Sequence, residues 1–168
     1  MSFKAGKGIY RLYYALIVLA MVGLDYLVKL WAKTQLQPVG SIPVIKDVFH
    51  LTYAENRGAA FGILQGQQTL FLVITAVVVI ALITYLFFRR KTISLLPGMA
   101  MALLIAGAIG NLIDRALQGY VVDMFDFRLI NFAIFNVADS CVSVAAVGLI
   151  AYILFGEVMQ RRKPQEAQ

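Results

Sequence analysis

Four stretches of the chain are apolar at nearly every position: roughly Leu12–Trp31, Leu70–Phe88, Leu95–Ile113 and Val137–Phe155. Each approaches the length of about 20 residues that crosses a hydrocarbon core about 30 Å thick, so four transmembrane helices are predicted. Between them the period changes. Phe49-His50-Leu51-Thr52-Tyr53 reads as strand and falls in the long connection 32–69. In 120–135, Phe125-Asp126-Phe127-Arg128-Leu129 alternates before Ile130-Asn131 and a second apolar run, which predicts a hairpin. The connection 89–94 reads as a short basic turn. The expected fold class is an all-α membrane protein, one domain over residues 1–168, with four helices and a small β element on the outer membrane face.

Composition sharpens this class. The 168 residues are 61% hydrophobic and 14% charged, with a mean hydropathy of +0.79. A soluble domain is about 45–50% apolar and about 25% charged. The net charge of +6 is spread as short clusters beside apolar runs, so no nucleic-acid partner is expected. Lys4, Lys7 and Arg11, then Arg89, Arg90 and Lys91, then Arg161, Arg162 and Lys163 hold nine of the fifteen basic residues on one side. Lys33, Lys46, Arg57, Arg115 and Arg128 fall on the other. The positive-inside rule then puts both termini in the cytoplasm. The first apolar run follows basic residues as in a signal peptide, but it is too long and lacks an Ala-x-Ala-like site, which predicts a retained helix. One cysteine, Cys141, and one histidine, His50, leave no basis for a disulfide or a zinc site, and no metal or cofactor is expected. Cys141 is expected to pack between helices and His50 to lie in a surface loop.

Gly98, Ala102, Ala106 and Gly110 repeat every four residues, laying small side chains along one face of the third helix. Such a seam lets a second helix approach closely. Gly107 and Gly110 also offer close backbone approach to a site, though packing alone accounts for them.

Ionisable groups inside a membrane are costly unless paired, which makes each a functional candidate. At a rise of about 1.5 Å per residue, Asp25 lies roughly 20 Å from the cytoplasmic start of the first helix. Asn111, Asp114 and Arg115 end the third helix, Asn136 and Asp139 open the fourth, and Asp123 precedes it. Four sections of chain thus bring polar groups to one layer near the outer interface. Asp25 and Lys29, at i and i+4, either neutralise each other or contact a substrate. Asp114 and Arg115 either mark the water boundary or, for Arg115, hold a carbonyl or carboxylate. Asn136 has the composition of a helix cap, and Asp126 is expected on a solvated face.

Asp123 and Asp139 are harder to assign to structure. Asp139 lies about one turn into an apolar helix, with no basic residue near it in sequence. Two carboxylates in contact in a poorly solvated place share one proton. The ionised member of such a pair activates water while the protonated one polarises a carbonyl, as in aspartic proteases. An ion or proton pathway uses the same residue types. A Ser–Lys protease built from Ser140 or Ser41 with Lys29, a cation-coupled carrier and a scaffold subunit are further alternatives.

Five ordered motifs narrow these options: Asp25-Tyr-Leu-Val-Lys29, Asn56-Arg-Gly-Ala-Ala-Phe61, Gly107-Ala-Ile-Gly-Asn-Leu-Ile-Asp-Arg115, Val121-Val-Asp123 and Phe135-Asn-Val-Ala-Asp-Ser140. With them the chain resembles the lipoprotein signal peptidases (signal peptidase II) over nearly its whole length. The resemblance implies four transmembrane helices with an extracytoplasmic β-cradle, in the bacterial cytoplasmic membrane. It implies that Asp123 and Asp139 form a catalytic dyad without a metal. It also implies that Asn56, Gly58, Asn111, Arg115 and Asn136 surround that dyad and support substrate binding; Asp25 and Lys29 match a further polar motif. The implied substrate is a prolipoprotein whose cysteine carries diacylglycerol, cut on the amino side of that cysteine. Membrane lipids are the expected surroundings and a monomer the expected unit.

Overall fold

The computed structural model describes residues 7–58, 67–89 and 94–161. Four helices dominate: α1 (Lys7–Trp31), α2 (Gln68–Arg89), α3 (Leu95–Gln118) and α4 (Val137–Arg161). Each is long and apolar enough to cross a membrane. The predicted residues Lys4, Arg90, Lys91, Arg162 and Lys163, and residues 59–61 of the Asn56 motif, lie outside the described residues. For Lys7, Arg11, Arg89 and Arg161 only the helical backbone is described.

α3 is the centre of the bundle: half of its span is buried inside the protein, against 6% for α2. The small-residue seam explains how. A Cβ added at Gly98 would collide with the Tyr14 side chain of α1, and one at Gly107 would collide with the Ala138 carbonyl oxygen of α4. At Gly110 the added atom would sit 2.6 Å from the Asp25 carboxylate and 3.2 Å from Ala138. The seam therefore packs against two helices rather than one, and its outer end admits a carboxylate.

α3 runs to Gln118, beyond the apolar boundary at Ile113. Its polar end stays helical because Asn111, Asp114 and Arg115 find partners within the protein. Gly119 then ends it in the left-handed region at φ 83, with its N–H on the Arg115 carbonyl.

At the same end of the bundle lies a three-stranded antiparallel sheet, β1 (Ser41–Ile45), β2 (Phe49–Asn56) and β3 (Val121–Asp126), in the order β1-β2-β3. It is fixed to α1 by a π-helical turn, Ala32–Leu36, whose buried Ala32 and Leu36 pack on Val122 and Met124 of β3. The hairpin predicted for 120–135 forms differently. β3 pairs with β2, distant in sequence, and the chain then makes a 3-10 turn at Arg128–Ile130. It returns to β3 only through a bridge between Phe125 and Phe135. Rings replace the missing ladder: Phe135 stacks on Phe127 at 5.9 Å and packs against Phe125 at 5.5 Å.

Two further expectations fail. His50 lies within β2 and is buried, with Ser41 Oγ 3.4 Å from its Nδ1. Asp126 is buried too, accepting from Thr52 Oγ1 at 2.8 Å and Arg128 Nε at 2.9 Å. Its partner Thr52 stands 74 positions away, a pairing that local alternation does not reveal. Burial raises the Asp126 pKa, but the bonds from Arg128 and Thr52 outweigh it and leave the group below the usual carboxylate range.

Candidate active site

Asp123 stands on β3 and Asp139 in the first turn of α4, and asparagines hold both. In the sheet, Ala54 faces Asp123 and Asn56 faces Val121. The pleat therefore puts Asn56 diagonally across from Asp123 on one face, and its Nδ2 donates to Asp123 Oδ2 at 3.1 Å. Asn136 is the residue before α4. Its Oδ1 accepts from the Asp139 N–H at 2.9 Å, and Asp139 Oδ2 accepts from the Asn136 N–H at 3.3 Å. These reciprocal bonds have the form of a capping box. The other half of the same amide, Nδ2, donates to Asp123 Oδ1 at 2.7 Å. Asn111 Nδ2 donates to Asp139 Oδ1 at 2.8 Å.

Each of these amides is oriented by a donor on its oxygen, which turns its NH2 group to a carboxylate. The Gly58 N–H donates to Asn56 Oδ1 at 3.0 Å, and Lys29 Nζ donates to Asn111 Oδ1 at 3.0 Å. The Asp139 N–H does the same for Asn136. Arg115 Nη2 donates to the Gly58 carbonyl at 3.0 Å while its guanidinium lies over the Phe71 ring at 5.1 Å. Arg115 thereby ties the end of β2 to α3, as a carbonyl holder rather than a boundary marker.

Asp123 is only 2% exposed, and its pKa is raised to about 7. Burial is the largest cause, followed by the charge of Asp139. Bonds from Asn56 and Asn136 and the charge of Lys29 act in the opposite sense and do not win. The charge of Asp139 therefore reaches the Asp123 carboxyl.

Asp25 and Lys29 form a pair at 2.8 Å, but they do not stop there. Lys29 Nζ also meets Asp114 Oδ2 at 3.2 Å, and all three residues are buried. Asp114 is thus an interior group and not a mark of the water boundary. It was under-read from sequence, although its spacing of three from Asn111 places both on one helix face. Asp25 Oδ1 accepts from the Ala138 N–H at 2.9 Å, and Asp114 Oδ2 from the Val122 N–H at 3.1 Å. Among the described residues Lys29 has three acceptors, none of them Ser140 or Ser41. Ser140 Oγ donates to the Asn136 carbonyl instead.

A cavity of about 580 Å³ opens beside Asp139. Asn56, Asn111 and Arg115 line it with Asp139, and Phe132, Ile134, Phe135, Val142 and Val144 provide apolar walls. Asp123 lines a second cavity of about 500 Å³ with Glu55, Arg57 and Asn131. The two share Asn56 and the segment Phe132–Ile134. Those wall residues belong to the apolar run that sequence alone assigned to a hairpin leg, so their place in a cavity was missed. Among the described residues, no group of three or more His, Cys, Asp or Glu is arranged to hold a metal ion.

Comparison with known proteins gives a consistent result. A family model described as signal peptidase (SPase) II matches residues 17–155. A lipoprotein signal peptidase of Clostridioides difficile is 45% identical over 148 residues, covering 88% of this chain and 99% of the relative. One of Streptococcus pneumoniae is 50% identical over 145 residues, covering 86% and 94%. A solved structure described as a bacterial membrane enzyme superposes with a TM-score of 0.80 at 35% identity, covering 93% of this chain and 94% of that one.

Proposed function

Since this chain belongs to the signal peptidase II family and is a multi-pass membrane protease, we propose that it is an aspartic endopeptidase that removes the signal peptide from diacylglyceryl-modified prolipoproteins. The observation that carries the reading is the double hold of Asn136. One residue caps the helix of Asp139 and donates to Asp123 at 2.7 Å, beside a largely apolar cavity.

The chemistry follows from the shared proton. In this reading Asp123, buried and with its pKa raised to about 7, supplies the proton that the pair shares, and Asp139 serves as the base. Water between them gives a proton to Asp139 as its oxygen attacks the scissile carbonyl carbon. Asp123 gives its proton to the carbonyl oxygen, forming a neutral gem-diol. Collapse breaks the C–N bond, the amine leaves with the proton held by Asp139, and Asp123 recovers the diol's proton. Water is the nucleophile throughout, so no covalent intermediate forms.

Substrate geometry supports the same reading. A signal peptide is itself a membrane helix, and a diacylglyceryl cysteine is anchored in one leaflet. Their junction is held at the interface, the layer where Asp25, Lys29, Asn111, Asp123 and Asp139 collect. In this reading both termini are cytoplasmic and the dyad faces the extracytoplasmic side, as the basic clusters require. The apolar walls from Phe132 to Val144 take lipid or signal-peptide side chains, and the second, more polar cavity takes the chain beyond the cysteine.

The test uses the full chain, purified in detergent, with one precursor in lipidated and unlipidated forms. Mass spectrometry is expected to place the cut on the amino side of the modified cysteine, with the unlipidated precursor turned over far more slowly. Equal turnover of both forms would overturn the lipid-recognition claim.

A further inference from the structure

Among the described residues, Lys29 bonds neither carboxylate of the proposed dyad, yet each polar partner it has there leads to one. It is 3% exposed, and Asp25, Asn111 and Asp114 accept from Nζ at 2.8, 3.0 and 3.2 Å. Each acceptor has a second bond. Asp25 Oδ1 takes the N–H of Ala138, the residue before Asp139. Asp114 Oδ2 takes the N–H of Val122, the residue before Asp123. Asn111 Nδ2 donates directly to Asp139 Oδ1. One cation thus fixes the backbone immediately preceding both carboxylates, and the amide that holds the second of them.

We propose that Lys29 is a positioning residue for peptide hydrolysis, locking β3 and the start of α4 in register through Asp114, Asp25 and Asn111. This rests on the paired-carboxylate reading of Asp123 and Asp139 and deepens it. Two physical arguments support it. Buried ion clusters are a poor source of stability compared with apolar packing, because desolvation offsets the attraction. What such a cluster supplies is direction: Lys29 on Asn111 Oδ1 leaves only the NH2 group to face Asp139. The second argument is steric. Gly110 leaves space where a Cβ would stand 2.6 Å from Asp25, so the helix seam is open at the height of the cluster.

The charge of Lys29 also reaches the pair. Asp123 is faced by Asn56 from β2, by Asn136 just before α4, by Asp139 from α4, by the charge of Lys29 from α1 and by that of Arg115 from α3. The Cys141 thiol of α4 lies near Asp25 and Asp139. Lys29 favours the ionised form of Asp123, a smaller influence than burial and the charge of Asp139, which act in the opposite sense.

The test compares the full-length protein with three variants: the triple Asp25→Asn/Lys29→Met/Asp114→Asn, the single Asp114→Asn, and Asp139→Asn. The triple removes the ion cluster as a set and leaves no unpaired buried charge. It is expected to keep a cooperative thermal transition and a KM within about threefold of wild type, while kcat falls about 10²-fold from misplacement of the pair. A folded triple with wild-type kcat, or with only KM altered, overturns the proposal. Should the triple not fold, Asp114→Asn decides, because it keeps an acceptor for the Val122 N–H. Its loss of a negative charge strengthens the pull of Lys29 on Asp123 and moves the alkaline limb of the kcat profile to lower pH with KM unchanged; an unmoved profile overturns the proposal. An active Asp139→Asn protein sinks the dyad reading itself. An inactive one beside a fully active triple sinks only the role of Lys29.

Discussion

Asn136 Nδ2 lies 2.7 Å from Asp123 Oδ1, while the other atoms of Asn136 cap the helix that carries Asp139. One side chain therefore does two separable jobs. Asn136→Ser keeps an oxygen for the Asp139 N–H but loses the donor to Asp123. Its thermal midpoint should stay near wild type while kcat falls about 10²-fold. Asn136→Ala loses both and should also be less stable by about 1 kcal/mol, the usual worth of a cap. Thermal unfolding measured beside single-turnover cleavage separates the two effects.

The raised pKa of Asp123 makes stability depend on pH with a definite sign. Its value goes from 3.8 to about 7, by burial first and by Asp139 second. Between those values the folded protein holds a proton that the unfolded chain has released, so stability falls as pH rises through that window. Asp123→Asn has no such loss. Its thermal midpoint relative to wild type should climb from 3.8 to about 7 and then level. Cleavage by wild type should decline as pH rises past about 7, where the shared proton leaves.

Helix contact is testable at two glycines of opposite character. A Cβ at Gly107 meets the Ala138 carbonyl oxygen and Val142, and backbone cannot give way cheaply. Gly107→Ala should cost about 1–3 kcal/mol by overpacking and slow cleavage, since it pushes α4 and Asp139 away from Asn111. A Cβ at Gly148 meets nothing within 4 Å among the described residues beyond its own helix backbone and chain neighbours. Gly148→Ala should be neutral or stabilising by up to about 1 kcal/mol, with cleavage unchanged.

Asp126 is the third carboxylate of the segment and has a different task. It bonds Thr52 and the half-exposed Arg128 at the far end of β3. Asp126→Asn should lower stability by at most about 1 kcal/mol, as for a partly exposed ion pair, with cleavage of a lipidated precursor within about threefold of wild type.

Some of this was legible in the sequence and some was not. The four spans were, because a bilayer demands about 20 apolar residues and little else in this chain supplies them. Asp123 and Asp139 stood out because each is a carboxylate in a largely apolar stretch with no basic residue beside it. The roles of Asp25, Lys29 and Asp114 were less visible: their partners lie on other helices, as with Lys29 and Asn111, 82 positions apart. His50 and Asp126 were misread for the same reason, since alternation reports a strand's faces but not what covers them. The apolar run of Phe132–Phe135 looked like a strand because periodicity cannot distinguish ladder pairing from aromatic packing.

The most direct measurement is single-turnover cleavage of a diacylglyceryl-modified precursor by Asp123→Asn and Asp139→Asn, each shown to be folded by its thermal transition. The rate is predicted to fall by at least about 10³-fold in both, the scale of lost acid–base catalysis. A folded Asp123→Asn or Asp139→Asn protein that cleaves at a rate near wild type would contradict the paired-carboxylate account.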